Sequence, residues 1–354
     1  MQTFFIVAIL GLGFLITFQI AKASEYVAVL RGEEKARKQT NKVNAFMLLA
    51  FLIIGLIGVY YCNEKLKGKI LGEAASDHGV LIDRMLYITI ALTGIVFIIT
   101  QVCLFWFSFK YQESDKRKAY YYPHNNKLEL IWTVIPAIAL TVLVGFGLFY
   151  WFKITGNSPK DSMVVEVTGS QFKWEFRYPG KDKILGKKYF KKTDEARGNP
   201  MGQLWDDPAN HDDVYNPGEM HLVVNKPVHL VINAKDVIHD VGLAHFRMKM
   251  DAVPGTPTTM WFTPKYTTKQ MIEKTGKPEF VYELSCDQMC GKGHYSMRAV
   301  VIVETQEEFD AWMASKKPQY IVANPDKGPS EPKKDSVISK VPVVGAPVAM
   351  KTKN

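Results

Sequence analysis

Cys286, Cys290, His294 and Met297 fall within twelve residues of this chain, in Cys286-Asp287-Gln288-Met289-Cys290-Gly291-Lys292-Gly293-His294-Tyr295-Ser296-Met297. Thiolate, imidazole and thioether donors are soft and favour copper over oxygen-preferring cations. A disulfide between Cys286 and Cys290 would suit an oxidising compartment, but it leaves the spacing of His294 and Met297 unexplained. Zinc sites usually present close-spaced ligand pairs twice over, and Met is not a zinc ligand. A single blue-copper ion needs one Cys, two His and a weak axial Met. The second Cys therefore discriminates: two thiolates bridging two coppers use every one of these donors, provided a second His arrives from elsewhere. His239, directly after the strand-like run 228–234, is the leading candidate, with His221, His229 and His245 as rivals. Residue chemistry alone does not separate His239 from His245.

A loop of this kind needs a rigid scaffold, and the chain from Ser162 on supplies short β-rich runs at 163–168, 228–234, 258–262, 280–285 and 299–304. Gly, Pro and Asn break them, as in a Greek-key sandwich or barrel. The run Phe172-Lys173-Trp174-Glu175-Phe176-Arg177-Tyr178 alternates aromatic and charged residues, which puts its four rings on one strand face. A core row explains that pattern; a part in electron uptake requires the row to lie near a redox centre. Residues 181–218 read as a polar surface excursion. After about Lys316 the chain is rich in Pro, Lys and Ser with no core-forming period, as expected of a tail disordered by itself.

The first part of the 354 residues is different. Apolar runs at 4–21, 43–62, 86–109 and 128–152 are each long enough to cross a bilayer core, which takes about 20 helical residues. A cleaved signal peptide is the alternative for the first run, but no basic residue precedes it. Loops 22–42 and 110–127 carry the basic excess, so both are assigned to the cytoplasm and the C-terminal domain to the periplasm. The resulting division is 1–62, two N-terminal transmembrane helices; 63–153, a periplasmic segment and a helix hairpin; 154–315, a β domain; and 316–354, the tail. Cys62 and Cys103 lie in apolar runs, where free Cys behaves as a buried hydrophobe. The net charge of +9 is spread through loops and tails instead of forming the stripe that nucleic acid requires. Glu129, one turn into the last apolar run, completes a capping box with Asn126 as N-cap; a carboxylate at the cytoplasmic edge of a membrane helix is also placed to take up protons.

With these residues in hand, the chain resembles subunit II of the cytochrome c oxidases of the haem–copper superfamily. The resemblance spans roughly residues 87–305. It rests on the Cys-x3-Cys-x3-His-x2-Met loop, Asp-Val-x-His at 236–239, Asp251-Ala252-Val253-Pro254-Gly255, and the stretch from Asn125 to Pro136. It implies a membrane helix hairpin, here preceded by two extra helices, and a cupredoxin sandwich with a dinuclear copper A centre. The implied ligands are His239, Cys286, Cys290, His294 and Met297, with the backbone carbonyl of Gln288, and Glu129 becomes the mouth of a proton pathway into subunit I. The implied task is to accept electrons from cytochrome c, or from a c-type haem domain of a neighbouring respiratory complex, and relay them to haem in subunit I. The implied partners are oxidase subunits I and III and the bilayer, in a bacterial plasma membrane. Three departures stand out. Many members have Glu at 288, whose side chain also binds magnesium at the subunit I interface, and the neutral Gln288 counts against that site. Phe172 stands where many members place the electron-accepting Trp, with Trp174 two residues on. Beyond Phe152, Lys and Arg outnumber Asp and Glu, and only Asp206, Asp207, Asp212 and Asp213 offer a local acidic patch for a basic cytochrome. The intact ligand set counts against a quinol oxidase subunit. The helix hairpin counts against a copper-delivery protein, and the missing propeller against a nitrous oxide reductase.

Overall fold

The computed structural model of the chain describes residues 2–67, 72–114 and 116–326. Two compact units emerge: Met1–Gly72 with Leu81–Trp151, and Glu73–Val80 with the chain from Phe152 on. The tail residues 327–354 lie outside the described residues.

The first unit is built from long helices. Helix α1 (Gln2–Arg31) meets α2 (Glu33–Leu66) at Gly32, whose φ of 81° lies where only glycine sits without steric cost. Helices α3 (Asp77–Lys110) and α4 (Asn126–Thr155) follow. Among the described residues α2, α3 and α4 are long and apolar enough to cross a membrane. Four crossings were expected; three helices meet this standard, and α1 is helical throughout its own expected span. Leu, Ile and Phe side chains along α2–α4 point outward, as on helices whose solvent is hydrocarbon. Within the unit, Phe46 packs on Phe109 with ring centroids 5.1 Å apart, and Phe51 on Phe105 at 5.9 Å. Arg37 pairs with Glu113 at 2.9 Å. Pro136 sits inside α4 without ending it, which membrane helices tolerate.

The second unit is a sandwich of two five-stranded sheets. One sheet contains β1 (Met163–Ser170), β2 (Lys173–Tyr178), β3 (Val214–Pro217), β5 (Val228–Ala234) and β8 (Thr258–Phe262), in the order β3-β2-β1-β5-β8. The other contains β4 (Glu219–Val223), β6 (His239–Leu243), β7 (Met248–Ala252), β9 (Tyr282–Cys286) and β10 (Arg298–Glu304), in the order β4-β10-β9-β6-β7. Strands β5 and β10 show the period-two alternation: Val228, Leu230 and Ile232 point into the core, as do Ala299, Val301 and Val303. Short helices α5 (Thr268–Thr275) and α6 (Gln306–Ser315) each begin with a capping box, Thr267 with Gln270 and Thr305 with Glu308.

Two expectations change. The tail was expected to begin at Lys316, yet α7 (Gln319–Ala323) packs on the domain, with the Tyr320 ring stacked on His211 at 4.0 Å. Gln319 adds to this, donating its N–H to the Asp213 carbonyl and its amide to the Gly198 carbonyl, and no periodic pattern announces either residue. Residues 181–218 were expected to be a surface excursion, yet they cover the second face of β2. Arg177 is 2% exposed and donates to Glu166 (2.6 Å), Asp213 (2.8 Å) and Asn210 (2.9 Å), all buried. The expected acidic patch is thereby dispersed: Asp213 faces inward to Arg177, Asp207 accepts from Ala209 N–H and Lys187 N–H, and Asp212 accepts from Asp182 N–H. Burial opposes the charge of Glu166, but Arg177 and Lys188 overcome it and hold the carboxyl down to about 2. Glu166 therefore adds stability that is full above about 4.5, its ordinary value, and is lost as the pH falls toward 2. Arg177→Met is expected to destabilise the domain by roughly 3–5 kcal/mol, because it takes the guanidinium from buried Asp213 and leaves Glu166 with Lys188 as its one remaining cation. Denaturant unfolding of the purified chain followed by Trp fluorescence checks this.

Candidate metal centre

Adjacent strands of one sheet bring the donors together. Antiparallel pairing of β6 with β9 sets Val241 opposite Cys286, which places His239 at the start of β6 within reach of the end of β9. The His239 Nδ1 lies 3.8 Å from Cys286 Sγ, and the two sulfurs are 3.7 Å apart. His239, Cys286 and Cys290 form the one group of His, Cys, Asp and Glu side chains among the described residues with metal-holding spacing, and all three are buried. The loop 286–297 folds back as a 3₁₀ turn at His294–Ser296. This brings His294 Nδ1 to 3.7 Å and Met297 Sδ to 3.8 Å from Cys290 Sγ. The Gln288 carbonyl oxygen sits 3.2 Å from Cys286 Sγ, while its side chain is exposed. All six residues singled out in the sequence thus converge on one point.

The donor set fits copper. Metal–thiolate bonds of about 2.3 Å can bridge two sulfurs spaced as these are, and no hard carboxylate lies among the donors. Burial pushes the Cys290 thiol up to about 11, and its neighbour Cys286 adds to the shift.

The residue orienting His239 is Asp236, which opens the Asp-Val-x-His segment but was given no role from the sequence. Asp236 Oδ1 lies 2.8 Å from His239 Nε2 and accepts from Val237 N–H, while Oδ2 accepts from Gln171 N–H at 2.7 Å. Partial burial works against its charge, but the hydrogen bonds from Gln171, His239 and Val237 hold the carboxyl below its ordinary range. An ionised Asp236 can only accept, so Nε2 carries the proton and Nδ1 presents its lone pair toward the sulfurs. The signal was present in the sequence as the i, i+3 spacing of Asp236 and His239.

The rival histidines serve elsewhere. His221 stacks on Trp312 at 3.9 Å and bonds Glu304, His229 sits within β5, and His245 packs edge-on to Phe280 and Tyr282. Of the aromatic row, Trp174, Phe176 and Tyr178 are core, and Phe172 lies just outside β2 and is 38% exposed. Trp174 is 1% exposed, with its ring 5.9 Å from that of His239. Glu129 is exposed and is brought to no metal-binding group among the described residues. Its Oε1 accepts from Asn125 N–H, and Asn125 Oδ1 accepts from Leu128 N–H. The cap is therefore Asn125 and not Asn126, a shift of one residue at a boundary that sequence places only loosely.

Because thiolates bind metal and thiols do not, protons compete with copper at this cluster. With Cys290 titrating near 11, apparent copper affinity of the metal-free protein is expected to rise with pH below that value. The rise should reach about tenfold per pH unit for each proton displaced. Copper titrations in weakly buffered dye solutions at several pH values read both affinity and proton release.

Comparison with known proteins finds two matching family descriptions: "Cytochrome C oxidase subunit II, transmembrane domain" over residues 73–149, and "Cytochrome C oxidase subunit II, periplasmic domain" over residues 163–305. An alternative cytochrome c oxidase subunit 2 of Bradyrhizobium diazoefficiens is 36% identical over 241 residues, covering 67% of this chain and 80% of the relative. Cytochrome c oxidase subunit 2 of Cereibacter sphaeroides is 27% identical over 237 residues, covering 64% and 73%. Among solved structures, the periplasmic domain of subunit II of cytochrome oxidase from Bradyrhizobium japonicum aligns with 45% of this chain and 96% of its own. The identity is 22% and the TM-score 0.31.

Proposed function

Since the chain belongs to the cytochrome c oxidase subunit II family, and so to a membrane-bound, copper-binding oxidoreductase complex with a domain outside the bilayer, we propose that it is the subunit that receives electrons, at a dinuclear copper centre. The ligands are His239, Cys286, Cys290, His294 and Met297 with the carbonyl of Gln288. One observation carries the reading: both cysteine sulfurs lie 3.7 Å apart with His239, His294, Met297 and the Gln288 carbonyl around them. Copper bound there would supply one-electron redox chemistry.

The chain's own residues do the rest. Phe172 offers a partly exposed ring beside the loop, where a reduced cytochrome c or a c-type haem domain of a neighbouring complex can dock. Trp174 backs the His239 ring and excludes water from it. Asp236 fixes the tautomer of His239. The electron leaves toward haem in subunit I, where oxygen is reduced to water. Gln288 is neutral where a carboxylate would bind magnesium, which counts against a magnesium ion at this position.

Glu129 takes up protons at the cytoplasmic end of α4, in addition to closing the first turn of that helix. In this reading α1 is a fourth crossing, loops 22–42 and 110–127 face the cytoplasm by their basic excess, and the domain of residues 154–315 is periplasmic in a bacterial plasma membrane. Subunits I and III are the partners within the bilayer.

In the assembled oxidase, Cys290→Ser is expected to lose the visible and electron paramagnetic resonance signature of the centre, together with turnover. Full copper and normal turnover in that variant would sink the assignment. Glu129→Gln is expected to slow turnover by about tenfold or more while the copper spectrum stays unchanged; unaltered turnover and pumping would leave Glu129 as a helix cap alone.

A further inference from the structure

The metal cluster is assembled from two stretches of chain, and the end of β1 together with the two residues that lead into β2, Gln171 and Phe172, touches both. On the His239 side, a Cβ on Gly169 would stand 2.9 Å from His239 Cδ2 and 3.0 Å from Trp174 Cζ3, so the backbone there is pressed against the imidazole. Next along, Gln171 N–H donates to Asp236 Oδ2 at 2.7 Å, and the other oxygen of Asp236 holds His239 Nε2. On the loop side, the amide Nε2 of Gln171 donates to the Cys290 carbonyl at 2.7 Å. Phe172 then lies flat against two glycines: a Cβ would be 3.1 Å from its ring at Gly291 and 2.5 Å at Gly293.

The loop has few other ties. Cys286 is held by the β9 pairing and Met297 by its carbonyl bond to Cys286 N–H. Between them, residues 288–296 bond chiefly to one another, through His294 N–H to Gly291 O and Ser296 N–H to Gly293 O, with Cys286 Sγ to Gln288 O from the loop's own edge. Among the described residues, the Gln171 amide makes the one hydrogen bond that reaches residues 288–296 from outside the loop.

We propose that Gln171 is a positioning residue of the copper centre: its backbone and side chain together set the distance and angle between Cys290 and His239, and so the sharing of charge across the two sulfurs. This rests on the copper reading above. The residue acts through Asp236 on one side and the Cys290 carbonyl on the other, so it touches neither the metal nor the docked electron donor in this role. A side chain without a donor at this position lets Cys290 and the His294 turn relax away from His239.

The test uses the purified oxidase complex carrying this chain. Gln171→Met removes the donor at nearly constant length, and Gln171→Glu does so at constant shape, so either variant that assembles decides the matter. Three readouts are taken: the electron paramagnetic resonance and visible spectrum of the copper centre, the chelator concentration that strips half of its copper, and KM for the reduced cytochrome. The expected result is an altered spectrum with less even spin sharing, copper stripped at about tenfold lower chelator, the equivalent of one lost hydrogen bond, and an unchanged KM. A wild-type spectrum with wild-type chelator resistance overturns the proposal, and so does a raised KM with the spectrum intact, which would make Gln171 a docking residue. If the unaltered complex itself lacks a two-copper signal, the copper reading fails and not this inference.

Discussion

The pairing of β6 with β9 is the constraint on which the metal centre depends. It sets Val241 opposite Cys286 and Gly242 opposite Ser285, and so delivers the end of one strand to the beginning of another. Side chains alternate across a strand, so a slip of one residue would carry Cys286 to the opposite face and leave His239 without a sulfur beside it. The close approach is reinforced at Gly242, where any Cβ would collide with the Asp287 carboxylate at 2.2 Å. That register is held by the core beneath it. Val241, Leu243, Leu284 and Val301 are fully buried, and burying a side chain of that size is worth about 1.5–3 kcal/mol. The copper chemistry therefore draws its precision from ordinary apolar packing a few residues away.

A second device lets β2 serve two purposes. Its aromatic residues fill the sandwich core, while Glu175 and Arg177 face the other way and would be stranded without the segment 181–218. That segment brings Asn210, Asp213 and the Gly186 carbonyl to the guanidinium, and Gln203 and Asn199 complete the polar layer. Buried charge survives because the guanidinium is paired with two carboxylates and further held by Asn210 and the Gly186 carbonyl. The same strand begins beside the metal loop, so the rigidity of this layer is passed to the turn that carries Gln171 and Phe172.

Much of this was legible in the sequence. The soft-donor loop announced its chemistry through residue type and spacing, and the long apolar runs announced α2, α3 and α4. Strands β5 and β8 matched their expected bounds, because alternation of apolar side chains is a local signal. What stayed hidden depends on contacts distant in sequence. The structural choice of His239 over His245 follows from strand pairing, which no local pattern encodes. The covering of Arg177 by residues 181–218 looked like surface because its partners are all polar, and polar residues signal burial only once they are seen paired. Helix α7 was missed because its attachment depends on two residues, Gln319 and Tyr320, whose partners are distant in sequence. The N-cap at Asn125 fell one residue from its expected place because two asparagines stand side by side.

The domain is not contiguous in the chain. Residues 73–80, which precede most of α3, belong to it: Ala75 is fully buried in its core and donates its N–H to the His245 carbonyl, Ser76 donates its hydroxyl to the Phe246 carbonyl, and Glu73 pairs with Lys274 at 2.7 Å. During synthesis this short strap emerges long before the strands it joins, with two apolar helices made in between. The β domain is therefore complete only once the chain beyond α4 has been made and has met residues 73–80. A soluble fragment cut after α4 would lack the strap and bare the surface around Phe246. A fragment meant to hold copper in isolation would do better with residues 73–80 grafted back on through a linker than with the membrane part simply removed.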